Sequence, residues 1–325
     1  MDSQYVLREH NISKGTKKIP ASEDKPLQIN IVRYDDRELE FDLIGVHTSL
    51  ANAFRRILLS EVPSMAIEKV LIYNNTSLLQ DEVLAHRLGL IPLKADCRLF
   101  EYKPEVDAEP TDQDTLKFEL KIKCTRNANS GKDSTRVDDL YQNHNVYSKH
   151  IKWIPVGSQN DLFKNVDVGP VHDDILIAKM RPGHEINLQM LAVKGIGKDH
   201  AKFSPVATAS YRLLPTLQLT QEVEGELALK LQSCFSPGVI SVVEDQKGRK
   251  FAKVDNPRYD TCSRNVFRFN DLKDSVVMGR EGDHFIFTVE SVGALKPDEL
   301  FLEAVKVLKN KCRVLLQQID NVMTE

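Results

Sequence analysis

The sequence is short of three features that each mark a specialised class of protein. Its five cysteines are dispersed with no pair at C-x₂-C spacing, a pattern that favours reduced thiols over a disulfide framework. It has no apolar run approaching the roughly 20 residues of a membrane helix. It has no basic surplus, since 44 Lys and Arg face 47 Asp and Glu for a net charge of −3. Because nucleic-acid binding depends on such a surplus, we expect no direct sequence-specific nucleic-acid contact. Because no apolar run is long enough for a membrane helix, we also expect no membrane association.

Catalytic motifs are also missing. Glu82 and His86 stand at i, i+4, but without a second histidine they do not form H-E-x-x-H. The stretch Gly195-Ile-Gly-Lys-Asp-His-Ala201 has neither the dinucleotide nor the P-loop pattern. Cys97 and Cys124 are too few and too far apart for a four-cysteine metal site. We therefore predict no catalytic residues, no metal and no cofactor.

What the sequence does contain is an amphipathic helix near its beginning, predicted from Thr48 to about Val62. Thr48 or Ser49 can cap it, and Val62-Pro63 ends it, because a residue before proline is pushed out of the α region. Apolar residues recur at i, i+3, i+4, i+7 and i+8 and fill one arc of the helix, namely Leu50, Ala53, Phe54, Ile57 and Leu58. The opposite arc carries Asn52, Arg55, Arg56 and Leu59. That arc is either a solvated surface or a contact surface.

Period-two patterns on both sides of this helix predict strands. They place strands near Leu27–Ile31 and Leu39–Leu43 before the helix, and the clearest alternation at Leu116–Cys124 after it. Further strands are predicted at 152–155, 175–180, 185–194, 207–219 and 285–289, with short helices at 80–88 and 222–233. The polar stretch 125–148 is predicted to be a long loop. Strand, strand, helix is typical of a sheet with a helix on one face.

A long helix is predicted at the end, from Pro297 to about Asn321, with Asp298 and Glu299 at the positive end of its dipole. It has two apolar lines. The main line comprises Phe301, Ala304, Val305, Leu308, Cys312, Leu315, Leu316 and Ile319, and the second comprises Leu300, Val307 and Val314. A surface helix needs only one. The second line packs either against another chain or against a loop.

Four segments in this order resemble the α-like subunits of multisubunit RNA polymerases. They are NAFRRILLSEVPSMA (52–66), DEVLAHRLGLIPLK (81–94), the region 200–215 and DHFIFTVESVGALKPDELFLEAVKVLKNK (283–311). The resemblance covers nearly all of residues 27–320. It implies an α+β fold in which a dimerisation domain, an antiparallel sheet with two long helices, is interrupted by an inserted, mostly β domain. The implied boundaries are a dimerisation domain from 27–65 and 206–325 and an insertion at 66–205. Residues 1–26 are polar and mixed in charge, which predicts a flexible tail.

The resemblance also implies what the helices bind. In this family they pair with a smaller α-like subunit and contact the second-largest and then the largest subunit. The implied interface comprises Leu50, Asn52, Phe54, Arg55, Arg56, Ile57, Leu58, Leu59, Leu300, Phe301, Val305, Val307, Leu308, Cys312, Val314 and Leu315.

Some family members carry a cysteine cluster in the inserted domain, and this chain does not. Its absence favours the larger subunit shared by RNA polymerases I and III, a nuclear assembly scaffold without an active site that serves rRNA, tRNA and 5S RNA transcription. Two alternatives stay open. One is the α-like subunit of RNA polymerase II or of an archaeal polymerase, and the other is a stand-alone α+β enzyme.

Overall fold

A computed structural model describes residues 26–104, 109–127, 136–164, 167–246 and 248–324. These residues form two compact units. The first comprises residues up to Val32, Glu40–Asn52 and Tyr211–Phe287, and the second comprises Arg33–Leu39, Ala53–Ser210 and the residues from Thr288 onwards. Residues 1–25 of the predicted tail lie outside the described residues. The domain boundaries implied by the resemblance stay a prediction.

Helices and strands alternate irregularly along the chain, and the predicted α+β class is confirmed. The helices of the described residues are α1 (Thr48–Ser60), α2 (Asp81–Gly89), α3 (Val137–Leu140), α4 (Gln159–Leu162), α5 (Glu226–Ser233) and α6 (Pro297–Thr324). The strands are β1 (Gln28–Tyr34), β2 (Glu38–Ile44), β3 (Pro63–Asn75), β4 (Leu93–Lys94), β5 (Thr115–Lys123), β6 (Thr125–Arg126), β7 (Tyr141–Gln142), β8 (Asn145–Tyr147), β9 (Lys152–Ile154), β10 (Gly169–Pro170), β11 (Leu176–Lys179), β12 (Glu185–Ile196), β13 (Val206–Leu219), β14 (Ile240–Glu244), β15 (Lys250–Val254) and β16 (Val276–Ser291). None of the helices in this described part is long and apolar enough to cross a membrane.

The first unit holds the greater part of a four-stranded sheet with the order β1-β2-β16-β13. Aromatic side chains fill its core. Phe41 stacks on Phe287 with ring centroids 5.2 Å apart, and Tyr211 meets Phe285 edge-on at 5.3 Å. A second core in the same unit joins α5 to the β14–β15 hairpin through Ala228, Leu231 and other buried apolar side chains.

The second unit contains the sheet β3-β12-β5-β9, in which neighbouring strands are antiparallel. On the central strand β12, Met190 lies between Val70 of β3 and Phe118 of β5. The alternation in β5 has the predicted consequence, because Leu116, Phe118 and Leu120 are all fully buried. This alternation buries one face of the strand and leaves its lysines at the surface.

Three sequence-based predictions were wrong in detail. The stretch 125–148 is not one long loop, since its described residues include β6, α3, β7 and β8. The strand predicted at 285–289 begins at Val276. The prediction missed its first half because that half contains Gly279 and Gly282 and lacks a β-rich composition. The helix predicted from Glu222 begins at Glu226, after Gly225, whose φ of +63° interrupts the helical backbone.

Candidate interface on the first and last helices

Helix α1 forms because its apolar residues fall on one arc, and burial follows that arc in part, since Leu50 is exposed and Ala53 half-buried. Ala51, Phe54, Ile57 and Leu58 are buried, whereas Arg56 is exposed. The predicted cap was assigned to the wrong residue. The backbone N–H of Ser49 donates to Nδ1 of His47 at 3.2 Å, and the N–H groups of Leu50 and Ala51 donate to the His47 carbonyl oxygen. Histidine is a rare cap, so residue preference alone did not point to it.

Helix α6 is buried only in its first half. Leu300 and Ala304 are fully buried, but every residue from Lys311 to Val322 is exposed. The exposed half keeps the apolar periodicity, and large side chains stand in water along it: Val314 (43% exposed), Leu315 (57%), Leu316 (60%), Ile319 (47%) and Val322 (75%). We call these five residues the α6 stripe. Exposed apolar surface of this kind makes the stripe a candidate contact site.

The second unit brings the C-terminal half of α1 against α6. The rings of Phe54 and Phe301 lie 5.2 Å apart, tilted by 54°. Just after α1, the carboxylate of Glu61 accepts hydrogen bonds of 2.8 Å at each oxygen from Nζ of Lys311. The aromatic pair removes apolar surface from water, whereas the ion pair is half-exposed and stabilises by less than about 1 kcal/mol.

The sixteen predicted interface residues divide by exposure into three groups. Phe54, Ile57, Leu58 and Leu300 are buried within the chain, and Asn52, Arg55, Leu59, Phe301, Val307 and Leu308 are half-buried. Leu50, Arg56, Val305, Cys312, Val314 and Leu315 are exposed. Asn52 and Arg55 each take part in an interaction within the chain. Membership of a partner interface stays a prediction for all sixteen.

Val322 was missed by the sequence analysis, which ended the helix at Asn321. It lies three residues after Ile319 and is the most exposed member of the stripe. The spacing alone would have found it if the helix had been extended by one turn.

Ion pairs and a hydrogen bond within the second unit hold the beginning of α6 in place. Arg98 contacts Glu299 at 2.9 Å and Asp96 at 2.7 Å, and the hydroxyl of Tyr34 donates to Asp298 at 3.2 Å. Both acidic residues of the first turn are therefore engaged at the positive end of the helix dipole. Burial works against ionisation of Asp96, but the hydrogen bonds from Arg98 outweigh it and lower the pKa of that carboxyl.

The two cysteines that lie between β3 and β12 in the sequence, Cys97 and Cys124, are both buried. Burial raises the pKa of the Cys97 thiol to about 11, and Sγ of Cys97 donates to the carbonyl oxygen of Pro63 at 3.2 Å. Burial also raises the pKa of Cys124. Both thiols are therefore protonated at neutral pH. Across the part of the chain that the structure describes, no group of three or more His, Cys, Asp or Glu side chains is arranged to hold a metal ion.

Comparison with known proteins agrees with the resemblance to RNA polymerase subunits. The family described as the RNA polymerase Rpb3/Rpb11 dimerisation domain matches residues 40–312. The chain is 58% identical to DNA-directed RNA polymerases I and III subunit RPAC1 of Homo sapiens, over 93% of this chain and 87% of the relative. It is 49% identical to the RPAC1 subunit of Saccharomyces cerevisiae, over 90% and 87% respectively. Its identity to DNA-directed RNA polymerase II subunit rpb3 of Dictyostelium discoideum is 35%, over 92% and 95%.

Proposed function

The chain belongs to the RNA polymerase Rpb3/Rpb11 dimerisation-domain family, and we propose that it is a non-catalytic assembly subunit of RNA polymerases I and III. The identities support this choice of polymerases, since relatives named for polymerases I and III match at 58% and 49% and the RNA polymerase II relative matches at 35%. The number and spacing of the cysteines also fit a member without a cysteine cluster. As part of those enzymes the chain works in the nucleus, in the nucleolus and nucleoplasm.

The observation that carries the proposal is the α6 stripe. Five large apolar side chains on one helix are exposed in the single chain. Their transfer from water favours association by about 25 cal/mol per Å² of buried apolar surface, before the entropic costs of association are subtracted. We assign the stripe to a smaller α-like subunit, which covers it to form a heterodimer. The contact of Phe54 with Phe301 in the second unit holds the first half of α6 against α1, ahead of the stripe along the helix.

The two arginines of α1 have a different role in the proposal. Arg56 is exposed and Arg55 half-buried, and a planar guanidinium suits charge-assisted contacts at a protein interface. We assign them to docking of the second-largest subunit, after which the largest subunit joins. Heterodimer formation and docking therefore use different surfaces, one apolar and one cationic.

The experiment is affinity purification of the chain tagged at its own genomic locus, in moderate salt, followed by quantitative mass spectrometry. We expect the catalytic subunits of polymerases I and III at near-stoichiometric amounts, with those of polymerase II at the level of an untagged control. Recovery of polymerase II subunits would reassign the chain to that enzyme. Recovery of no polymerase subunit would refute an assembly function.

A further inference from the structure

The glycine-rich stretch after β12 has a close contact with the end of helix α1. A Cβ atom built on Gly197 would stand under 3.0 Å from the carbonyl oxygen of Leu59 and 3.1 Å from Cα of Ser60. The three nearest atoms all belong to the backbone of the last turn of α1. A larger residue at position 197 cannot be accommodated by rotating a side chain, so the loop or the helix end has to move.

Hydrogen bonds fix the same corner of the second unit. The N–H of Lys198 donates to the carbonyl oxygen of Ser60 at 2.8 Å, and this carbonyl is one of the four that the end of a helix leaves unpaired. A few residues further on, Oγ of the buried Ser64 donates to the carbonyl oxygen of Phe203 at 2.7 Å. Between these two bonds, Gly195 of β12 pairs with Ser64 of β3. The segment 195–203 therefore holds both sides of the turn that leads from α1 into β3.

This corner lies one turn from the arginines of α1. Oγ of Ser60 donates to the carbonyl oxygen of Arg56 at 2.7 Å, and the N–H of Glu61 donates to the carbonyl oxygen of Ile57 at 2.9 Å. A displacement of Leu59 and Ser60 is thus passed along hydrogen bonds to the backbone that carries Arg55 and Arg56. Because packed backbone does not deform freely, a shift of a few tenths of an ångström changes where the guanidinium groups point.

We propose that residues 195–199 act as a brace for α1 and that Gly197 is a positioning residue for the Arg55–Arg56 surface. The inference rests on the proposed function, because it concerns docking of the second-largest subunit. It gives the G-x-G stretch a role unrelated to nucleotides. The two glycines serve different contacts, since a Cβ on Gly195 would meet the ring of Phe203 rather than α1.

The test uses purified heterodimers of this chain with its smaller partner and measures docking of the second-largest subunit. We expect Gly197→Ala to weaken docking at least tenfold at a temperature well below its melting point. Gly169→Ala is the matched control, because a Cβ there meets nothing within 4 Å, and it should dock like the wild type. Leu116→Ala, which creates a cavity at a fully buried position in β5, controls for stability and should also dock normally.

Wild-type docking by Gly197→Ala would overturn the brace, and so would equal loss of docking in Leu116→Ala. If Gly197→Ala does not fold, residue-resolved hydrogen exchange on the wild-type heterodimer decides, since the Lys198 amide is expected to be protected by its bond to Ser60. Exchange of that amide at the rate of a free turn would overturn the brace. Failure of the wild type itself to dock would instead count against the proposed function.

Discussion

The contact between the first and last helices depends on single aromatic residues. Phe54 is buried and its ring lies 5.2 Å from that of Phe301. We predict that Phe54→Ala lowers the free energy of unfolding by about 3 to 5 kcal/mol, because truncating a buried phenylalanine removes its transfer energy and leaves a cavity. Urea denaturation of the purified chain measures this. Leu302→Ala, on the exposed side of α6, should change it by under about 0.5 kcal/mol; similar losses in both variants would refute the packing role.

The raised pKa of Cys97 predicts that the stability of the folded chain depends on pH. Its pKa is about 11 in the folded chain against 9.0 for an ordinary thiol, so folding favours the protonated form. The resulting stability is fully present below pH 9 and is lost as the pH rises from 9 through 11. At pH 10.5 the loss is about 2 kcal/mol.

The measurement is the difference in unfolding free energy between the wild type and Cys97→Ala at pH 8 and at pH 10.5. Other groups titrate in this range, but they cancel in the difference. We expect the stability advantage of the wild type to shrink at pH 10.5. A difference that stays constant across this range would contradict a raised pKa.

At the scale of elements, α6 combines two halves with different solvent exposure. We predict that Leu315→Glu leaves the unfolding free energy of the single chain within about 0.5 kcal/mol of the wild type, because the side chain is already 57% exposed. The same change should weaken the heterodimer at least a hundredfold, since it places an unpaired charge in an apolar interface. Gln317→Glu, on the opposite side of the helix, is the control, and equal affinities of the two variants would refute the assignment.

The elements that the sequence predicted well are those in which a single periodicity governs burial. In β5 the alternating apolar positions are all buried, and in α1 Phe54, Ile57 and Leu58 are, so spacing alone identifies both elements. The beginning of β3 shows the opposite case. Ser64, Met65, Ala66 and Ile67 are buried consecutively, and without alternation the periodicity cannot distinguish a buried strand from a buried helix segment. The early start of β16 was missed for a related reason, because long-range pairing rather than composition makes it a strand.

The candidate interface was predictable as a set of helix positions but not as a surface. Spacing places Leu58 and Leu315 on apolar arcs of their helices, yet one is fully buried and the other exposed. The difference arises because α6 extends beyond the residues that cover its first half, and no local pattern records where that cover ends. The role of Gly197 was equally hidden, since it depends on a backbone contact between segments more than a hundred residues apart.

At the scale of the whole molecule, the two proposed surfaces act at separate steps of assembly. We predict that Arg56→Glu keeps the fold and the heterodimer but abolishes docking of the second-largest subunit, because a carboxylate repels the acceptors that a guanidinium would bind. Co-purification of each subunit with the tagged chain measures both steps. Arg126→Glu, an exposed charge reversal in the same unit, is the control. Recovery of the complete polymerase with Arg56→Glu at wild-type yield would contradict the assignment.

The α6 stripe also limits how much of this chain can persist without a partner. Each unpaired copy presents adhesive side chains to every other copy, and exposed apolar surface of this kind promotes aggregation. Under the proposed pairing, we expect surplus synthesis of one chain to yield aggregated or degraded protein, so that the scarcer of the two partners sets how many heterodimers form. We therefore expect the amount of assembled enzyme to depend on the ratio of the two chains, because doubling the production of one chain alone adds no assembled enzyme.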